Sequence, residues 1–217
     1  MSKSIVICYL IIVVLNQIGT NFAFEDQISE FVMMKMVDKT QKFIIGYSYT
    51  EGGFGHLKEN IKGWNDASKG TPFFVLTDLD TKNCAPELIR SWINAKKHPN
   101  LIFRVAVREV ESWLISDIEG FSKFSGVSEA NFNKRPELIK DPKKEILRLI
   151  KKCKKRKIKE DILPKDKFAS VGPNYNDRLS EFVISFWDID RASIRSESLK
   201  RAMAHLQRFT YHTKVIN

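Results

Sequence analysis

Between Asn21 and Ser116 short apolar runs alternate with stretches of helical periodicity, and that alternation restricts the chain to few folds. Asn21–Phe24, Lys42–Ser48, Phe73–Thr77 and Leu101–Val107 have the length and composition of strands. Helical spacing relates Ile28, Phe31, Val32 and Met36, then Leu57, Ile61, Trp64 and Ala67, then Leu88, Ile89, Trp92 and Ile93. Gly70-Thr71-Pro72 and His98-Pro99-Asn100 supply turns, and Pro86 suits a first helical turn. The order β-α-β-α-β-α-β with short connections predicts an α/β fold: a parallel sheet flanked by helices. Crossovers of one hand would bring every strand's carboxyl end to the same edge, where open α/β sheets place their ligand sites.

Three of the runs end on acidic residues. The first leads into Glu25-Asp26, the third into Asp78-Leu79-Asp80, and the fourth into Arg108-Glu109-Val110-Glu111. Grouped carboxylates repel one another unless a cation lies among them, and hard oxygen donors suit Mg²⁺ or Mn²⁺. Strand alternation predicts Asp78 and Asp80 on one side with Leu79 on the other. Taken singly, each motif has a plain structural reading. A DxD occurs in ordinary turns, and acids in a first helical turn complement the helix dipole. Arg108 is placed to neutralise the cluster or to bind a phosphate. Trp113 reads as core.

The acids stand out because the chain as a whole is basic, with a formal charge of +10 over 217 residues. Such a surplus favours polyanionic partners, and acids gathered inside a cationic protein suggest metals working on a phosphate backbone. A basic run, Lys151, Lys152, Lys154, Lys155, Arg156, Lys157 and Lys159, is a candidate nucleic-acid contact or a solvated helix face. The three cysteines, Cys8, Cys84 and Cys153, share no CxxC spacing, and the four histidines are scattered, so neither a disulfide framework nor a zinc site is expected.

Beyond Ser116 the texture becomes helical. Asp141-Pro142 is an N-cap and first-turn pair, and Ile146, Leu149, Ile150 and Cys153 form the inner face of the helix it opens. Val171–Asn176 reads as a loop, with amphipathic helices over Asp177–Trp187 and Ser196–Phe209. Asp188-Ile189-Asp190 reads as a helix boundary. Gly52-Gly53-Phe54-Gly55 before a helix is a flexible turn in preference to a phosphate cradle, because it lacks the Walker pattern. The expected division is an apolar extension over 1–20, an α/β core over 21–120 and a helical elaboration packed on it over 121–217.

The segment Met1–Leu15 resembles a signal peptide, with a weak cleavage site at Asn21-Phe22-Ala23. Cleavage there would remove the strand that delivers Glu25. A misassigned start or an uncleaved extension is therefore favoured, with a cytoplasmic location. Export is the alternative. The apolar run is short for a membrane span, and no stable membrane partner is expected.

A glutamate after the first strand, DxD after a later one and paired glutamates after the next together resemble the Toprim domain. Arg108-Glu109-Val110-Glu111-Ser112-Trp113-Leu114 resembles the R-E-(I/V)-E-(N/S)-(Y/W)-L motif of Toprim domains in OLD-family nucleases. More closely, FEDQISE, PFFVLTDLDT, RVAVREVESWL, VGPNYNDRLSEF and SESLKRAMAHL resemble a stand-alone Toprim-like family of uncharacterised bacterial proteins, over most of residues 21–210. The resemblance implies a Toprim-like sheet and a Mg²⁺- or Mn²⁺-dependent site acting on nucleic-acid phosphodiesters, DNA in preference to RNA. It makes Glu25 a general acid/base or metal ligand, has Asp78 and Asp80 hold Mg²⁺, and has Glu109 and Glu111 complete a second metal site. A role in phage defence follows only from the company such families keep. The chain departs from the nuclease branch in having Asp26 where glycine is common, in lacking a Walker A motif, and in offering no lysine that sequence alone assigns to catalysis.

The competing expectation is a non-catalytic nucleic-acid-binding module, or a toxin-like protein acting through a protein partner, with the acidic edge serving structure. A phosphatase of the haloacid-dehalogenase type is disfavoured, since Lys82 stands where that pattern needs Thr or Val.

Overall fold

In the computed structural model, which describes residues 17–50 and 52–212, four parallel strands form one sheet in the order β2-β1-β3-β4. The strands are β1 (Ile18–Ala23), β2 (Phe43–Tyr49), β3 (Phe73–Asp78) and β4 (Leu101–Ala106). The connecting helices are α1 (Gln27–Thr40), α2 (Gly53–Ala67) and α3 (Ala85–Trp92). The expected α/β alternation is therefore present, each element within a few residues of its predicted bounds.

β3 and, apart from Arg104, β4 are almost wholly apolar because both faces are covered, whereas β2 at the sheet edge is largely exposed. Phe74, Leu76, Ile102 and Ala106 join a core with α1 and the later helices, while Phe73, Val75, Leu101, Phe103 and Val105 join a second core with α2 and α3. The period-2 side-chain alternation thus sorts neighbouring residues into two layers. Arg104 is the exception, a cation on the face that Ile102 and Ala106 otherwise fill.

The first strand begins at Ile18 and lies inside the sheet, paired with β2 on one side and β3 on the other. The boundary expected at residue 20 therefore cuts a central strand, and so would cleavage at Asn21-Phe22-Ala23. The apolar run Ile5–Leu15 lies outside the described residues. Among the described residues, no helix is long and apolar enough to cross a membrane.

The second half consists of α4 (Val110–Ser116), α5 (Ile118–Ser125), two 3-10 turns, α6 (Pro142–Lys151), α7 (Arg156–Ile162), α8 (Tyr175–Ser185), α9 (Ile189–Ser193) and α10 (Glu197–Arg208). Asp141 caps α6, its side chain accepting the Lys144 N–H at 2.8 Å, and Asp188 caps α9 in the same way. These helices share the larger core with the sheet: Trp113, Phe121, Phe124, Phe182 and Trp187 are fully buried in it. Asp117 ties α5 to α9. Its carboxylate is fully buried, caps α5 through Gly120 N–H, accepts Asp188 N–H, and takes Arg191 at 2.7 and 2.8 Å. Cys84 and Cys153 are free, one exposed and one buried.

Candidate acidic site at the sheet edge

The strand order reverses direction between β1 and β3, since β1 leads outward to β2 and β3 leads the opposite way to β4. Ligand crevices of open α/β sheets form outside the carboxyl ends of the strands at such a switch point. Glu25 follows β1 there, and Asp78 ends β3. The two are joined directly: Glu25 Oε1 accepts the Asp78 N–H at 2.9 Å and also the Thr77 hydroxyl. The sequence expectation that Glu25 meets the Asp78 strand is met.

The end of β4 supplies the next pair. Glu109 is the N-cap residue of α4, and its side chain makes no capping bond. Val110 N–H instead donates to Asp78 Oδ1 at 2.9 Å, which ties the start of α4 to the end of β3. Glu111, in the first turn, is buried at 4% exposure. It accepts the Tyr175 hydroxyl at 3.2 Å and lies 3.6 Å from Lys143 Nζ. Lys143 also sits over the Tyr175 ring, 5.8 Å from its centre.

Asp80 departs from the expectation. The strand ends at Asp78, and Asp80 takes a left-handed backbone with φ of 50°. Aspartate tolerates this conformation better than most residues. Strand alternation therefore does not set the relation of the two aspartates, and Asp80 is exposed on a turn. Arg108 stabilises that turn, its Nη1 donating to the Lys82 carbonyl at 2.6 Å and the Asp80 carbonyl at 3.3 Å. Among the described residues Arg108 makes no ion pair with a carboxylate; backbone carbonyls take its Nη1. Gly52 begins α2 with φ of 93°, and a side chain there would meet His56 Cβ at 2.6 Å, so glycine serves the turn itself.

The electrostatics of the edge are those of crowded acids. Burial, then Glu111 and Glu25, hold the Asp78 carboxyl well above its ordinary range. Burial raises Glu25, Asp80 and Glu111 as well, with Lys143 opposing the rise at Asp80 and Glu111. Glu109 is pushed up to about 7, by burial first and the Glu111 charge second. Burial opposes the charge on Lys143, but Glu111, Glu109, Asp26 and Asp78 outweigh it and raise its pKa. Lys143 is thus a fixed cation among carboxylates.

Sequence reasoning missed Lys143, Tyr175 and Thr77. Thr77 had a local signal, an alcohol ending an apolar strand. Lys143 and Tyr175 come from helices far along the chain, and packing alone brings them here.

Among the described residues, no three His, Cys, Asp or Glu side chains are gathered closely enough to hold a metal ion as they stand. The donor chemistry nevertheless fits a hard divalent cation. The ligands on offer are all carboxylate oxygens, and Glu109 Oε2 is buried with no hydrogen-bond partner, an arrangement that costs free energy until a cation or donor satisfies it. Binding would require the side chains to draw inward.

The basic run is not one continuous helix. The α6 helix ends at Lys151 and α7 starts at Arg156. Lys152 bonds Asn131, Lys155 bonds the Lys123 and Phe124 carbonyls, and Arg156 pairs with Glu160. Lys151 and Lys154 are exposed and make no such bond among the described residues, and Lys157 is exposed as well. Lys143 stands at the opposite end of α6, roughly 12 Å from Lys151 along the helix axis.

Residues 19–172 match the family described as a domain of unknown function, DUF4276. The chain belongs to this family. The DUF4276 match runs from β1 through α7, so it includes all five edge carboxylates and Lys143 and stops just short of Tyr175. No curated protein and no solved structure matches the chain.

Proposed function

We propose that this DUF4276 protein is a Mg²⁺- or Mn²⁺-dependent enzyme that cleaves nucleic-acid phosphodiesters, DNA in preference to RNA, through a Toprim-like site. The observation that carries the reading is the Glu25–Asp78 pair at the strand-order switch, with Glu109, Glu111 and Lys143 beside it at the end of β4. The sequence resemblance over residues 21–210 and the +10 formal charge agree with it.

Glu25, Asp78, Asp80, Glu109 and Glu111 are the residues that would hold the metal. When bound, it would polarise a phosphoryl oxygen and acidify a water. The rest falls to the chain itself. Lys143 keeps its proton and offers an ammonium donor to a non-bridging phosphate oxygen, which favours the charge that builds up as the bond breaks. Tyr175 orients Glu111, and Thr77 orients Glu25, so both carboxylates enter the reaction already positioned. Arg108 holds the Asp80 turn through its carbonyls. The exposed lysines at the far end of α6 extend a positive surface along which a phosphate backbone can run.

A second reading, a nucleic-acid-binding module without catalysis, is favoured by one observation. Glu111 is already satisfied by Lys143 and Tyr175, as a structural carboxylate would be.

Supercoiled plasmid and single-stranded DNA incubated with the protein, with Mg²⁺, Mn²⁺ or chelator, separate the two. The enzyme reading expects cleavage that needs metal and is lost in Asp80→Ala, an exposed position whose replacement leaves the core intact. Salt-sensitive binding with no cleavage under either metal overturns it in favour of the binding module.

A further inference from the structure

At the other end of β4 lies a second charged site, of opposite sign. A cavity of about 570 Å³ is lined by Lys97, Arg104, Arg201, His205, Arg208 and His212, with Pro99, Ala204, Phe209 and Thr210 completing its wall. No aspartate or glutamate lines it among the described residues. Cavities of this size accommodate nucleotide-sized ligands.

Arg104 and Lys97 are partly buried, whereas Arg201 and Arg208 are exposed. Arg104 projects from the middle of β4 beneath α10, from a face that is otherwise apolar. Its Nε is buried and has no hydrogen-bond partner among the described residues. A guanidinium is ionised at every relevant pH, so this is a buried charge with an open donor. Lys97 Nζ donates to the Leu101 carbonyl at 2.6 Å and the His98 carbonyl at 3.4 Å, which holds it at the rim without neutralising it. Among the described residues, Arg201 alone of the three arginines has a carboxylate partner, Glu197 at 2.8 Å. The frame is rigid: Asn100, fully buried, bonds Ser68 and exchanges two hydrogen bonds with the His212 backbone.

The mutual electrostatics point the same way. Burial, then Arg201, holds Arg104 below its ordinary value, and burial, then Arg104, does the same to Lys97. Burial, then Arg104 and Lys97, lowers His205. Partly buried cations with no carboxylate partner among the described residues, here Arg104 and Lys97, are costly unless an anion reaches them.

We infer that this cavity is a binding site for a phosphoryl group, carried by a free nucleotide or by the end of a nucleic-acid strand. Guanidinium forks and an ammonium match the tetrahedral oxygens of a phosphate monoester. The site is separate from the acidic edge. The cavity shares no lining residue with that edge: Lys97 and Pro99 precede β4, Glu109 and Glu111 follow it, and Arg104 pairs with Leu76, two residues before Asp78. The inference is independent of the catalytic reading, because it requires no metal.

The test is calorimetric titration of the full chain in chelator at constant ionic strength. The probes are inorganic phosphate, adenosine 5′-monophosphate, and one short single-stranded oligonucleotide with a 5′-phosphate or a 5′-hydroxyl. Phosphate and the nucleotide should bind, and affinity should fall about tenfold or more in Arg104→Gln and in Arg208→Ala. Arg208 is exposed, so its variant reports on binding even if Arg104→Gln folds poorly. A phosphorylated strand that outbinds its hydroxyl counterpart and the free nucleotide identifies a strand end as the source; a free nucleotide that binds as well as the strand identifies the small ligand. No binding by any probe, or affinities unchanged in Arg208→Ala and in folded Arg104→Gln, overturns the inference.

Discussion

Lys143 Nζ lies 3.6 Å from Glu111 Oε1, although the two residues belong to helices that share no sequence neighbourhood. The contact brings a lysine into a group of carboxylates that would otherwise repel one another. It also links the helical half of the chain to the chemistry of the sheet half.

Replacement of Lys143 by Met removes that cation and keeps the length of the side chain. Turnover should fall roughly 100-fold, the scale on which loss of one preorganised donor acts. Stability should fall by on the order of 1 kcal/mol, because the lysine is nearly half exposed and solvent screens the pair. Steady-state cleavage kinetics and thermal unfolding check both effects. An unchanged rate would remove Lys143 from the reaction.

Stability of the metal-free protein should depend on pH in a direction set by Glu109. Its folded pKa of about 7 exceeds the ordinary value of 4.5, so the folded state holds a proton more tightly than the unfolded chain. The associated stabilisation is complete below about 4.5 and is lost as pH rises through about 7. The full shift corresponds to roughly 3 kcal/mol. Glu109 is only partly buried, and screening reduces this to on the order of 1 kcal/mol. Unfolding midpoints in chelator should therefore decline between pH 5 and pH 8, about the range of this titration, and Glu109→Gln should flatten the decline.

Substitution of Lys151 and Lys154 by Gln should weaken DNA binding and reduce the slope of log affinity against log salt by about two. Neither side chain bonds within the protein among the described residues, so the fold should be untouched. Metal dependence should not change. Binding titrations at several salt concentrations provide the check, and an unaltered slope would make the run a solvated surface.

Asp117→Ala should cost about 3–5 kcal/mol, since it strands Arg191 and leaves the Gly120 and Asp188 amides without their acceptor. Gly120→Ala should also destabilise, because an added Cβ would lie 2.2 Å from Asp117 Oδ2 and 2.8 Å from the Phe186 carbonyl. Chemical denaturation of both variants measures the loss. Cooperative unfolding in a single transition would agree with one core shared by the sheet and the later helices.

Much of the fold was legible because its signals are local. Uninterrupted apolar runs such as Phe73–Thr77 mark strands covered on both faces, and Asp141-Pro142 marks the start of α6. Placement of Glu25 beside Asp78 followed from parallel topology, with no need of side-chain detail. Asp80 was misjudged because the strand stops two residues earlier and the chain turns left-handed. The beginning of β1 was masked by an apolar run that merges with it. Lys143 looked like any first-turn lysine, and Tyr175 like a loop residue, since nothing in their local pattern records what they pack against. Arg104 carried a readable signal, a charge on a buried strand face, but its companions on α10 lie about a hundred residues further along.

Titration of the metal-free chain with Mn²⁺, followed by electron paramagnetic resonance, reads directly whether the acidic edge holds a divalent cation. A cation site there gives saturable loss of the free Mn²⁺ signal, competition by Mg²⁺, and at least about tenfold weaker binding in Asp78→Asn and in Glu109→Gln. A free-ion signal that grows in proportion to added Mn²⁺, or binding that neither substitution changes, would contradict it.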